Sequence, residues 1–134
     1  MKYILDTNIV SAYMKGKNRA VVHAIAKYRK DDLILSELVI YEIERGLKYT
    51  NAQNGLTQFG DDVIPMFNIV VPTLQDWRVA SDLWVFTRRI GRQLSDVDLA
   101  LAAITLRLGG ILITNDQDFS AIPLLNIQDW TITI

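Results

Sequence analysis

The sequence predicts an α/β protein, a sandwich with helices on both faces of a four- to five-stranded, mainly parallel sheet. Three observations carry that reading. Short apolar runs without alternation, at residues 2–5, 33–35, 68–71 and 111–114, suit strands buried on both faces. Longer amphipathic or wholly apolar stretches at helical spacing separate them. Strands alternating with helices in this way imply parallel pairing through right-handed crossovers. A chain of 134 residues with no repeat, linker or low-complexity stretch fits one domain, 1–134.

The elements follow in order. Strand 2–5 runs into Asp6, and a short helix over 8–14 follows at once. Lys15-Gly16-Lys17-Asn18 reads as a turn. Residues 19–30 are amphipathic, with Val22, Ile25 and Ala26 inward and Lys27, Arg29 and Lys30 outward. Asp31 and Asp32 turn the chain into strand 33–35, and Ser36 caps a helix over 37–49. The polar stretch 50–54 opens a further helical segment expected to end before Pro65. Strand 68–71 is closed by Pro72, and Thr73 caps a long helix reaching about residue 90. After a loop at 91–94, Ser95 caps a very apolar helix over 96–108, which Gly109-Gly110 ends. Strand 111–114 comes next, and 126–134 holds a last short strand or two.

Composition narrows the classes. Half the residues are hydrophobic and 22% are charged, a globular rather than disordered balance. A net charge of -1 does not announce a nucleic-acid binder, but bound divalent cations would change the local sign. There is no cysteine, so disulfides and thiolate zinc sites are excluded, and a reducing cytoplasm is the expected compartment. No signal peptide is visible and no run approaches a membrane span.

Four acids suit one edge of such a sheet. Asp6 and Asp116 both follow strand residues on the carboxyl side, where open α/β sheets place their ligands. Glu42 sits at the margin of the apolar face formed by Leu38, Val39, Ile43 and Leu47, with Gly46 one turn above it. Glycine inside a helix costs about 1 kcal/mol against alanine, and room for close approach to Glu42 is a reason to tolerate it. Asp98 opens a helix that is apolar on nearly every side, where a charge must be paired or bind a metal. Capping is the plain alternative for it, although Asp96 is the better placed of the two for that role. Four converging carboxylates repel one another and drive pKa values up, and a hard divalent cation relieves this. With no cysteine and only His23, which lies away from every motif, Mg²⁺ or Mn²⁺ is expected rather than zinc. Such a site activates water and steadies a phosphodiester during in-line displacement.

The blocks Ile4-Leu5-Asp6-Thr7-Asn8, Tyr41-Glu42-Ile43-Glu44-Arg45-Gly46, Asp98 to Ala103 and Leu112 to Phe119 together resemble the PIN-domain ribonucleases. They are most similar to the VapC-type toxins of prokaryotic toxin–antitoxin pairs, and the likeness spans nearly the whole chain. It implies a PIN-like α/β/α sandwich and a magnesium-dependent endoribonuclease that is dimeric and silenced by a cognate antitoxin. It further implies metal-ligand and catalytic roles for Asp6, Glu42, Asp98 and Asp116. Asn8 and Thr114 fall at positions that orient acids and waters by hydrogen bonding, and Asp118 is a further candidate acid. Asp96-Val97 departs from the commonest form, which leaves the role of Asp96 open.

Arg88, Arg89 and Arg92, at the end of the long helix, are candidate RNA-phosphate contacts, against a solvated helix end. Tyr41, Leu47, Tyr49, Leu56 and Phe59 form an apolar set, read either as core or as a groove for an antitoxin helix. Trp77 and Trp84 share a helix face and suit core or dimer contact. Three other classes fit the sequence less well. A receiver-type phosphoacceptor domain needs an aspartate ending the middle strand and a late lysine, and this chain has Val71-Pro72 and nothing basic just after Thr114. A haloacid dehalogenase-type phosphatase needs a second aspartate where Asn8 stands. A non-catalytic PIN-like RNA- or protein-binding module has little reason to keep a charge at Asp98.

Overall fold

The computed structural model describes residues 1–132. Its centre is β1 (Tyr3–Leu5), which pairs with β2 (Leu33–Ser36) on one side and β4 (Ile111–Ile113) on the other. Outside these lie β3 (Asn68–Val70) and β5 (Ile127–Gln128), giving the order β3-β2-β1-β4-β5 with every pair parallel. Successive strand residues point to opposite faces. Ile4 and Leu5 are both fully buried, as are Leu112 and Ile113, so both faces of the central strands are covered.

The helices are α1 (Thr7–Lys15), α2 (Arg19–Ala26), α3 (Glu37–Tyr49), α4 (Gln53–Gln58), α5 (Leu74–Arg89) and α6 (Asp96–Leu108). The α3 and α6 boundaries match the sequence expectation. α6 buries seven consecutive residues, Leu99 to Thr105, as a helix apolar all round must. Asp76 on α5 is almost fully buried and accepts from Arg107 Nε on α6 at 2.9 Å, which ties the two helices together.

Three segments differ from expectation. The helix expected over 19–30 ends at Ala26. Tyr28 leaves helical geometry to pack on Tyr3, 4.3 Å between ring centroids, and to stack on Trp130 at 5.2 Å. The stretch expected to stop before Pro65 runs on through a π-helical turn, Phe59–Val63, and a 3-10 turn, Ile64–Met66. Pro65 is tolerated at the start of that 3-10 turn because a first-turn residue needs no N–H donor. A 3-10 turn also forms at Gln117–Ala121, where no element was expected. Between α6 and β4, Gly110 allows a close approach. A Cβ there would fall 2.6 Å from the Lys2 carbonyl oxygen and from Ile4 Cδ1, blocking the start of the β1–β4 pairing. The last expected strand is β5, while residues 133–134 lie outside the described part.

Candidate active site

Asp6 leaves the carboxyl end of the central strand and is 6% exposed. Its carboxylate caps α1, accepting from the Thr7 backbone N–H at 2.8 Å, and accepts from the Thr114 hydroxyl at 2.8 Å. Burial pushes its pKa up to about 6, well above the ordinary 3.8. The two hydrogen bonds oppose that rise, and repulsion from Asp98 and Glu42 adds to it.

Glu42 comes in from α3. The Thr7 hydroxyl donates to its Oε1 at 2.5 Å, and Arg45 Nη2 stands 3.5 Å from its Oε2. Open space lies over Gly46, one turn on, within a groove of about 450 Å³ lined by Thr7, Met14, Glu42, Gly46, Leu47 and Gly55. Asp98 is half-buried at the start of α6 in a capping box with Ser95. Burial raises its pKa, the Ser95 bonds oppose this, and repulsion from Glu42 and Asp116 adds to it. Asp116 caps the 3-10 turn through the Asp118 N–H at 2.9 Å, and its own N–H donates to Thr114 Oγ1 at 3.0 Å.

Asp6 therefore senses Asp98 and Glu42, and Asp98 senses Glu42 and Asp116, as repelling neighbours. The four acids share one electrostatic neighbourhood at the carboxyl edge of the sheet. Among the described residues, no three acid or histidine side chains are drawn tightly enough together to grip an ion as they stand. An all-oxygen donor set in which burial, helped by repulsion from neighbouring acids, raises Asp6 and Asp98 has the chemistry to take a hard divalent cation.

The remaining candidates divide. Thr114 orients Asp6, whereas Asn8 is exposed and the hydroxyl that reaches an acid is its neighbour's, Thr7. Asp118 stands 3.8 Å from Arg92, which puts Arg92 beside the acids. Arg88 stacks on Trp84 at 4.3 Å, along α5, and Arg89 is exposed. Asp98 rather than Asp96 makes the capping box, and Asp96 lines a cleft with Trp77 and Trp84. Those two tryptophans are 44% and 41% exposed and so are not core. In the apolar set, Phe59 is core, Leu47 and Leu56 are half-buried, and Tyr41 and Tyr49 are exposed. Thr7 and Arg45 were missed as site residues. Arg45 was findable, since residues three apart on a helix face each other.

Residues 3–125 match the family described as PIN domain. The chain belongs to the PIN-domain family. This PIN domain is 27% identical to Ribonuclease VapC1 of Haemophilus influenzae strain R2866 over 134 residues, covering 98% of the chain and 99% of that protein. Among solved structures it is similar to VapBC-1 from nontypeable Haemophilus influenzae, at 26% identity and TM-score 0.76, covering 98% of this chain and 100% of that one. It also shares its fold with DNA-bound VapBC from Salmonella typhimurium, at 20% identity and TM-score 0.85, covering 97% and 98%. Among the described residues no helix is long and apolar enough to cross a membrane.

Proposed function

We propose that this PIN domain is a divalent-cation-dependent endoribonuclease acting as the toxin of a toxin–antitoxin pair. The observation that carries the reading is Asp6: a carboxylate buried at the carboxyl edge of the sheet, raised to about 6, with Asp98 and Glu42 repelling it. Repulsion of this kind is costly unless a cation relieves it. The chain's full-length likeness to Ribonuclease VapC1 supports RNA as the substrate.

Asp6, Glu42, Asp98 and Asp116 are the residues that would hold the ion, and their oxygen donors favour Mg²⁺ or Mn²⁺. Such an ion, when bound, lowers the pKa of an attacking water and offsets the charge gathering on the phosphoryl oxygens. The chain's own part is placement. Thr114 fixes Asp6 from one side, and its oxygen takes the Asp116 N–H. Thr7 fixes Glu42 from the other. Arg92 is placed to hold a phosphate of the substrate. His23 is exposed on α2, in a groove with Arg19 and Lys27, so it is not the general base here.

Two surfaces suit the partners. The groove between α1, α3 and α4 opens onto Thr7 and Glu42, where an antitoxin segment would reach the acids. The exposed face of α5, with Leu74, Trp77, Trp84 and Val85, suits a second copy of the chain. The test is cleavage of labelled RNA with magnesium and with chelator, alongside thermal melting. Wild type should cut only with the cation and gain melting temperature on adding it, and Asp98→Asn should lose both effects. Cutting that survives chelator, or an Asp98→Asn variant that cuts like wild type, overturns the reading.

A further inference from the structure

A site of four or more carboxylates repels the phosphodiester it is proposed to cut, so cations are needed to bring RNA in. The neighbourhood runs from Glu42 through Asp6 and Asp98 to Asp116, with Asp118 next to Asp116. An arginine stands at each end of it. Arg92 faces Asp118 at 3.8 Å and Arg45 faces Glu42 at 3.5 Å. From this bracketing we infer that Arg45 and Arg92 form a two-point clamp on the RNA backbone, gripping phosphates on either side of the acids. The inference deepens the nuclease reading and rests on it.

Arg45 is the new residue, and its surroundings fit the role. Its guanidinium lies 5.0 Å over the Tyr41 ring and donates through Nη1 to the Tyr41 hydroxyl at 3.3 Å. The exposed tyrosine thus works as a rest that holds the cation at the rim. The side chain is 57% exposed, so an incoming chain can reach it. A guanidinium carries five N–H donors, and among the described residues its polar contacts are one hydrogen bond and one long ion pair. At 3.5 Å, with the arginine end open to solvent, the pair with Glu42 is loose and its guanidinium can turn to a phosphate. A phosphate accepts the fork of an arginine bidentately, which a lysine cannot reproduce.

The test is binding of a fluorescent, mixed-sequence single-stranded RNA in chelator, so that nothing is cut. Wild type, Arg45→Ala, Arg45→Lys and Lys48→Ala are titrated between about 50 and about 200 mM salt. Lys48 is an exposed cation on the same helix and controls for net charge alone. Arg45→Ala should weaken binding about tenfold at the low end and flatten the slope of log K against log salt by about 0.7, the share of one single-strand phosphate. Arg45→Lys should restore part of this and Lys48→Ala should do little. With magnesium, Arg45→Ala should raise KM and leave kcat nearly unchanged, whereas a residue that only steadies Glu42 would lower kcat. An unchanged slope, or equal losses in Arg45→Ala and Lys48→Ala, overturns the clamp. If wild type binds RNA with an Arg45-dependent slope yet cuts nothing when magnesium is supplied, the clamp stands and the nuclease reading falls.

Discussion

Thr114 donates its hydroxyl to Asp6 at 2.8 Å, joining two residues 108 apart in sequence at the ends of neighbouring strands. The same oxygen accepts the N–H of Asp116 at 3.0 Å, so one hydroxyl sets two acids. In Thr114→Val the shape is kept and the bond is lost. A hydrogen bond to a charged group contributes about 1.5–3 kcal/mol, or about 1–2 pKa units. That bond opposes burial in setting Asp6, so losing it moves Asp6 above about 6. The acid limb of the rate–pH profile should shift up by about one unit. A limb that stays in place speaks against Asp6 as the titrating group.

Asp6 also sets a pH dependence of stability. Its pKa is about 6 in the folded chain, against an ordinary 3.8. A carboxyl raised by folding contributes stability that is full below the ordinary value and is lost as pH rises through the folded value. About two units correspond to about 3 kcal/mol at most. Without a divalent cation, Asp6→Asn should melt above wild type at pH 8, and the difference should close near pH 4. Adding magnesium should raise wild type and not the variant. A variant that melts below wild type at pH 8 without the cation would show that Asp6 carries no such burden.

The Asp76–Arg107 pair behaves in the opposite sense. Burial alone would raise Asp76, but the Arg107 guanidinium and the Thr73 donors overcome this and hold it below the ordinary range. Its stability contribution is present above the ordinary carboxylate value and is lost as pH falls through the folded one. Arg107→Leu leaves a buried carboxylate without its partner. Breaking a buried pair costs about 3–5 kcal/mol. Arg107 is 34% exposed, so solvent screening reduces the expected cost to about 2 kcal/mol. Urea unfolding at pH 7 should show that loss, and at pH 4 the gap should narrow. An equal gap at both pH values would mean that lost packing, not the charge, is responsible.

Arg92→Ala should leave the fold untouched, since its pair with Asp118 is long and exposed on both sides. RNA binding should weaken more at low than at high salt. Binding equal to wild type across the titration removes Arg92 from the substrate path.

The sequence made the strands and the strongest helices legible because their signals are local. Ser95 and Gly109 bound α6, and its apolar residues fill every face. Ser36 opens α3 just as plainly. The positions of the acids followed from strand ends and helix faces. What was not legible depends on partners distant in sequence. Nothing within Arg19 to Lys30 announces that Tyr28 will quit its helix, because Tyr3 and Trp130 supply the reason. Thr7 looks like a helix-start residue until α3 brings Glu42 to its hydroxyl. Asp98 took the capping role expected of Asp96 because an N3 carboxylate can reach back to the Ser95 N–H.

The sheet order has a consequence for how the protein is born. β1 is made well before its partner β4, which begins only at Ile111. Chains leave the ribosome amino end first, at about 5–20 residues per second. A nascent chain thus carries Asp6 and Glu42 for more than 70 further residues of synthesis before Thr114 and Asp116 are added. Its row of acids is completed only when synthesis has gone past Asp116.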